Sequence, residues 1–189
     1  MRGNLFIISG PSGVGKTTIA KAVFRRLRHL QSTVTYTTRR KRRAMREDKE
    51  IRFVSKAAFG RLIKQGALLE WAVVHGNFYG TDRASLEEHL AAGRSVLLNI
   101  DIQGTRQVLR REPRACTIFI VPEDPAQLEQ RIRARHDIGE PAIRERLRNV
   151  RRELRAAPRY RHRIVNREGK VDETIAAVVR LIRRPHVHR

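Results

Sequence analysis

Lys16 and Thr17 close the stretch 10–17, which reads G-x-x-x-x-G-K-T. Each residue type has a chemical use at that spacing. Glycines let successive backbone N–H groups converge on a phosphate, the lysine reaches β- and γ-phosphates, and the threonine hydroxyl can hold a divalent metal. The expected triphosphate contacts are Ser12, Gly13, Val14, Gly15, Lys16, Thr17 and Thr18. A plain glycine turn has no use for the Lys-Thr pair that follows the last glycine. The sequence therefore predicts a nucleoside triphosphate site, and the open question is what receives the phosphate.

Other candidates are less specific. The apolar run 95–100 delivers Asp101 at a strand's C-terminal end, where ligands bind in open α/β sheets and a carboxylate can organise Mg²⁺. An aspartate there is also a common helix cap. Arginines at 131, 133 and 135, with Arg144, Arg146 and Arg148, can neutralise a transferring phosphate, but composition alone does not choose among them. The basic run 39–43, with Arg46, either holds an acceptor's phosphate or is a solvated loop.

Strands and helices must alternate to position these groups. Strand-like stretches are 5–9, 32–38, 68–74, 95–100, 117–121 and 163–166. Helical stretches are 17–30, 56–65 with Ser55 as its cap, 85–92, 103–111, 125–135, 142–156 and 171–183. The stretch 76–80 looks like a turn, and the tail 184–189 like a frayed end. Such alternation predicts an α/β fold with a mostly parallel sheet.

The chain has 189 residues, 40% of them hydrophobic, which suits one domain. No apolar stretch approaches the ~20 residues that span a bilayer, and the single cysteine, Cys116, reads as a buried thiol. These features point to the cytoplasm and to no membrane partner. The formal net charge of +22 fits either a nucleic-acid binder or an arginine-rich enzyme for anionic substrates. Charge is spread along the chain and aromatics are only 5%, so stacking platforms are scarce and nucleic acid is expected to bind only non-specifically.

Together these motifs resemble the guanylate kinase family, which moves the γ-phosphate of ATP to GMP. The resemblance rests on the loop 9–17, Thr35-Tyr-Thr-Thr-Arg39 with Arg42, Glu70-Trp-Ala72, Gly76-Asn-Phe-Tyr-Gly-Thr81, Asp101-Ile-Gln-Gly104, the spacing of Arg131, Arg135 and Arg146, and Ile164-Val-Asn166. It runs from about residue 5 to residue 182. It implies a P-loop NTPase with a three-layer α/β/α core (1–34, 83–132 and 142–189), an inserted GMP-binding lobe at 35–82 and a lid at 133–141, all in one domain. It also implies roles. Lys16 and Thr17 act on the ATP phosphates and Mg²⁺, Asn166 lies by adenine, and Arg135 and Arg146 cover the transferring phosphate. Thr35, Arg39, Arg42 and Tyr79 hold the GMP phosphate. Glu70 accepts from guanine N1–H and the 2-amino group, Thr81 donates to O6, and Asp101 lies near the base.

Three features depart from the family pattern. A tyrosine that touches the acceptor phosphate is replaced by Ile51. The Pro-Gly turn of the basic loop gives way to Lys41, Arg43, Ala44 and Met45, and the first acid of a D-I-D motif is Asn99, leaving Asn99 or Asp101 near the metal. A hydrogen bond lost to a charged group is worth roughly 1.5–3 kcal/mol, or about ten- to a hundredfold in GMP capture. Arg43, Arg46 or Arg52 are candidates to replace it. These departures leave two alternatives to GMP phosphorylation: a kinase for another small phosphorylated acceptor such as a ribose phosphate, and a non-catalytic binding module.

Overall fold

The computed structural model describes residues 1–41, 50–74, 76–133 and 139–184. In chain order the elements are β1 (Leu5–Ser9), α1 (Lys16–Arg26), β2 (Thr35–Thr37), β3 (Ile51–Phe53), α2 (Lys56–Lys64), β4 (Leu68–Val74), β5 (Asn77–Asp82) and α3 (Arg83–Ala91). There follow β6 (Val96–Asn99), α4 (Ile102–Arg111), β7 (Cys116–Pro122), α5 (Pro125–Arg133), α6 (Glu140–Leu154), β8 (His162–Asn166) and α7 (Val171–Arg183). The expected alternation is present. The tail beyond Arg184 lies outside the described residues.

One sheet has the order β6-β1-β7-β8, with β1–β7 and β7–β8 parallel. All five residues of β1 are buried, as are six of the seven in β7. Continuous apolar strands of this kind need cover on both faces. α7 buries Thr174, Ile175, Val178, Val179 and Ile182, the spacing of one helical face. Cys116 is buried in β7, where desolvation pushes its thiol above the ordinary value, in line with a structural role.

The second sheet has the order β3-β2-β5-β4, with β2–β3 parallel and the other pairs antiparallel. The stretch 76–80 is not a turn: Gly76 alone turns, at φ 76°, and Asn77–Asp82 is a strand pairing with both β2 and β4. Its glycine and asparagine content hid the alternation. β3 was not anticipated, because three residues are too few to display a period.

Gly80 shows why that strand carries a glycine. A Cβ there would stand 2.8 Å from Leu68 Cδ1, 3.0 Å from Phe59 Cζ and 3.2 Å from the Glu70 carbonyl oxygen. Both side chains are buried, so neither can swing away. Gly80→Ala is expected to destabilise the protein by about 1–3 kcal/mol through overpacking; thermal melting checks this, and an unchanged midpoint would contradict the packing described.

β4 is an edge strand, and α4 covers its outer backbone. The Gln107 side chain clasps one peptide twice: its Oε1 accepts from Trp71 N–H at 3.2 Å, and its Nε2 donates to the Trp71 carbonyl at 2.6 Å. Arg111 donates to the Leu68 carbonyl at 3.2 Å. Edge groups that would otherwise seek a foreign strand are thereby satisfied.

By compactness the chain divides into two units. One comprises Met1–Leu5, His29–Leu98 and Gln103–Ala115; the other comprises Phe6–Arg28, Asn99–Ile102 and Cys116–Arg189. No helix among the described residues is long and apolar enough to cross a membrane.

Candidate active site

The second unit holds the phosphate loop. β1 ends at Ser9, and α1 begins at Lys16 after an N-cap, Gly15, at φ 97° with no side chain capping the helix. The first turn of α1 contains no acid. Its N–H groups and the positive end of its dipole are thus left for an anion. Gly10 permits a close approach, since a Cβ there would stand 2.5 Å from the Ile120 carbonyl oxygen. Asn166, at the end of β8, braces the loop: Nδ2 donates to the Val14 carbonyl at 2.9 Å while Oδ1 accepts from Thr174 Oγ1 at 3.0 Å. Its amide is therefore engaged by protein on both sides.

Lys16 Nζ donates to the carbonyls of Gly10 and Pro11 at 2.5 and 2.9 Å. Burial holds its pKa below the ordinary lysine value, opposed by the negative charges of Glu153 and Asp101. Asp101 thus lies within electrostatic reach of the loop's lysine. Glu153, near the end of α6, accepts from the Ser12 N–H at 3.1 Å. Burial raises its pKa, against the pull of Lys16 and the Ser12 bond. Thr17 and Thr18 are exposed at the start of α1, and Asn99 is exposed at the end of β6.

A divalent metal accompanies ATP in kinases, and the residues here fit one. Among the described residues no three His, Cys, Asp or Glu side chains cluster. The Thr17 hydroxyl and the Asp101 carboxylate are oxygen ligands of the type a divalent ion takes alongside substrate phosphates and water.

The first unit holds the acceptor candidates on the second sheet. Register places Ile51, Thr35, Thr81 and Glu70 in one row across four strands. The next row on that face is Phe53, Thr37, Tyr79 and Ala72. Glu70 and Thr81 are only 5% and 2% exposed. Thr81 Oγ1 donates to Glu70 Oε1 at 2.6 Å, a short charge-assisted bond that fixes the carboxylate. A register shift between Leu68 and Glu70 brings the pair opposite each other. The Arg39 N–H donates to Thr37 Oγ1 at 3.1 Å, tying the start of the basic run to this sheet.

Arg52 falls on the other face. It pairs with Tyr36, and its charge acts on that phenol, whose hydroxyl bonds to Asp82. Arg42, Arg43, Arg46 and Arg135 lie outside the described residues, as do the side chains of Arg131 and Arg146. Two residues were missed by sequence reasoning, Glu153 and Gln107. Glu153 had one signal: it is the lone acid in the arginine-rich end of α6.

A phosphate loop at the end of a buried parallel strand, in an α/β fold, defines a P-loop nucleotide-binding protein of the kinase type. The family model for guanylate kinase matches residues 2–185. The chain belongs to the guanylate kinase family. It is 42% identical to the guanylate kinase of Bordetella pertussis over 169 residues, covering 89% of this chain and 79% of that one. Over 180 residues it is 39% identical to the guanylate kinase of Aromatoleum aromaticum, covering 94% and 88%. The crystal structure of guanylate kinase from Anaplasma phagocytophilum superposes with a TM-score of 0.78 at 31% identity, covering 96% of this chain and 85% of that one. The chain is thus an enzyme, a nucleoside monophosphate kinase.

Proposed function

We propose that this chain's activity, ATP-dependent phosphorylation of GMP to GDP, is divided between two sets of residues. The donor set is the phosphate loop, where Ser12 to Thr18 take the ATP phosphates and Lys16 offsets charge on the β- and γ-oxygens. Mg²⁺ would supply further neutralisation when bound, with Thr17 and either Asn99 or Asp101 as its protein neighbours. Asn166 lies by adenine and also braces the loop through the Val14 carbonyl. Arg135, in a lid at 133–141 of which 134–138 lie outside the described residues, and Arg146, on α6, cover the transferring phosphate.

The acceptor set lies in a lobe at 35–82, and the remaining residues form the core of one domain. Thr35, Arg39, Arg42 and Tyr79 hold the GMP phosphate. Glu70 accepts from guanine N1–H and the 2-amino group. Thr81 orients that carboxylate and turns its own proton to O6 when the base arrives. Adenine presents a lone pair at N1, which the carboxylate repels, so the wrong purine leaves a buried charge unpaired. We place the reaction in the cytoplasm, which a single buried cysteine suits.

One observation carries this reading: the buried Glu70–Thr81 pair, in register with Thr35. A ribose phosphate has no edge for such a pair to read, and a binding module has no use for Lys16. A coupled assay with ATP, Mg²⁺ and GMP tests it. Turnover is expected; none at millimolar GMP, with folded protein, would remove the reading.

Ile51 gives a second test. It stands beside Thr35 in the same row as Thr81 and Glu70. A tyrosine there presents its hydroxyl to the acceptor face, so Ile51→Tyr is expected to lower the KM for GMP about tenfold with kcat little changed. An unchanged KM would mean that position 51 does not face the acceptor phosphate.

A further inference from the structure

A carboxylate sits on the phosphate loop where the chemistry calls for donors only. Glu153 Oε2 accepts from the Ser12 N–H at 3.1 Å, and of the two acids acting on Lys16 its charge acts most strongly. It is partly buried, so solvent does little to screen it. Asp101 adds a second negative charge to the same lysine. A triphosphate arriving at this loop meets a protein anion already bonded to one loop amide and sharing its lysine. Like charges held together in a partly buried site repel one another, and a loop amide can satisfy only so many acceptors.

We propose that Glu153 is a built-in competitor for the phosphate loop that weakens the grip on nucleotide and so speeds release of the ADP product. This rests on the assignment of the loop to ATP. The carboxylate and the nucleotide phosphates draw on one cation and one set of amides, so their affinities oppose each other. Glu153 is an affinity-setting residue and takes no part in bond making. The arrangement has a use in turnover, because a loop that holds ADP too long limits the cycle. A bracing role for Glu153 leads to the opposite outcome, since loss of a brace loosens the loop and weakens binding.

The test is calorimetric binding of ADP and of ATP to the full chain, wild type beside Glu153→Gln and Glu153→Ala, with melting midpoints as a check on folding. Glutamine keeps an oxygen for the Ser12 N–H and removes the charge; alanine removes both. Both variants are expected to bind ADP tighter, glutamine by about tenfold, through a slower off-rate in stopped flow. Unchanged or weaker binding in a folded variant overturns the proposal, and so does unfolding of both variants, which makes Glu153 a residue of the fold. Wild-type protein that binds neither nucleotide overturns the donor-site assignment instead, so the two failures are distinguishable.

Discussion

Lys16→Ala is expected to lower kcat by roughly a thousandfold, the scale set by removing one preorganised donor from a developing anion. The ammonium is half-buried against the loop, bonded to the Gly10 and Pro11 carbonyls. In a site of low dielectric its charge is expected to act strongly on the β- and γ-oxygens of bound ATP. Alanine offers neither charge nor reach, and no other lysine lies in the loop. The fold should survive, because the strand and helix that carry the loop pack through Phe6, Ile7, Ile8, Ile19 and Val23. Steady-state kinetics with circular dichroism check both halves of the expectation. A folded variant within tenfold of wild type would mean that Lys16 does not act on the transferring phosphate.

Glu70→Gln is expected to raise the KM for GMP about ten- to a hundredfold, the worth of one hydrogen bond to a charged group. The amide keeps an oxygen for Thr81 but turns a donor toward the donors of guanine. Stability should change little, since Gln fills the same volume. Discrimination against AMP should fall with it, because repulsion of the adenine N1 lone pair goes with the charge. The comparison is KM for GMP and for AMP in wild type and variant. If neither moves, Glu70 does not read the base.

Much of the donor site was legible because the phosphate loop is local. Its donors come from consecutive backbone groups, and glycine spacing writes that geometry directly into sequence. The bounds of β1, β4 and α7 were also legible, since each is a clean apolar run or a helical stripe between clear stops. The acceptor sheet was harder. Glu70 and Thr81 were named by resemblance, but their contact depends on a register shift between Leu68 and Glu70 that no local pattern encodes. The Asn77–Asp82 strand was masked by Gly80, which is there because Phe59 and Leu68 leave no room for a side chain.

Glu153 was illegible for a different reason. In a chain with 41 Lys and Arg against 19 Asp and Glu, an acid on an arginine-rich helix reads as a solvated salt-bridge partner. Its bond to the Ser12 amide spans a separation of 141 residues, beyond any motif. The role of Ile51 is similar. Resemblance marked it as a departure, and only the strand pairing showed that Arg52 lies on the other face of the sheet.

The most direct measurement is the ratio of kcat/KM for GMP, IMP and AMP on wild-type protein with saturating ATP and Mg²⁺. IMP keeps N1–H and O6 but lacks the 2-amino group; AMP lacks all three features. If the Glu70 carboxylate and Thr81 hydroxyl read the purine edge, GMP should exceed IMP by about tenfold or more, and AMP should trail both by a further wide margin. Equal rates for GMP and AMP would contradict the account at its centre.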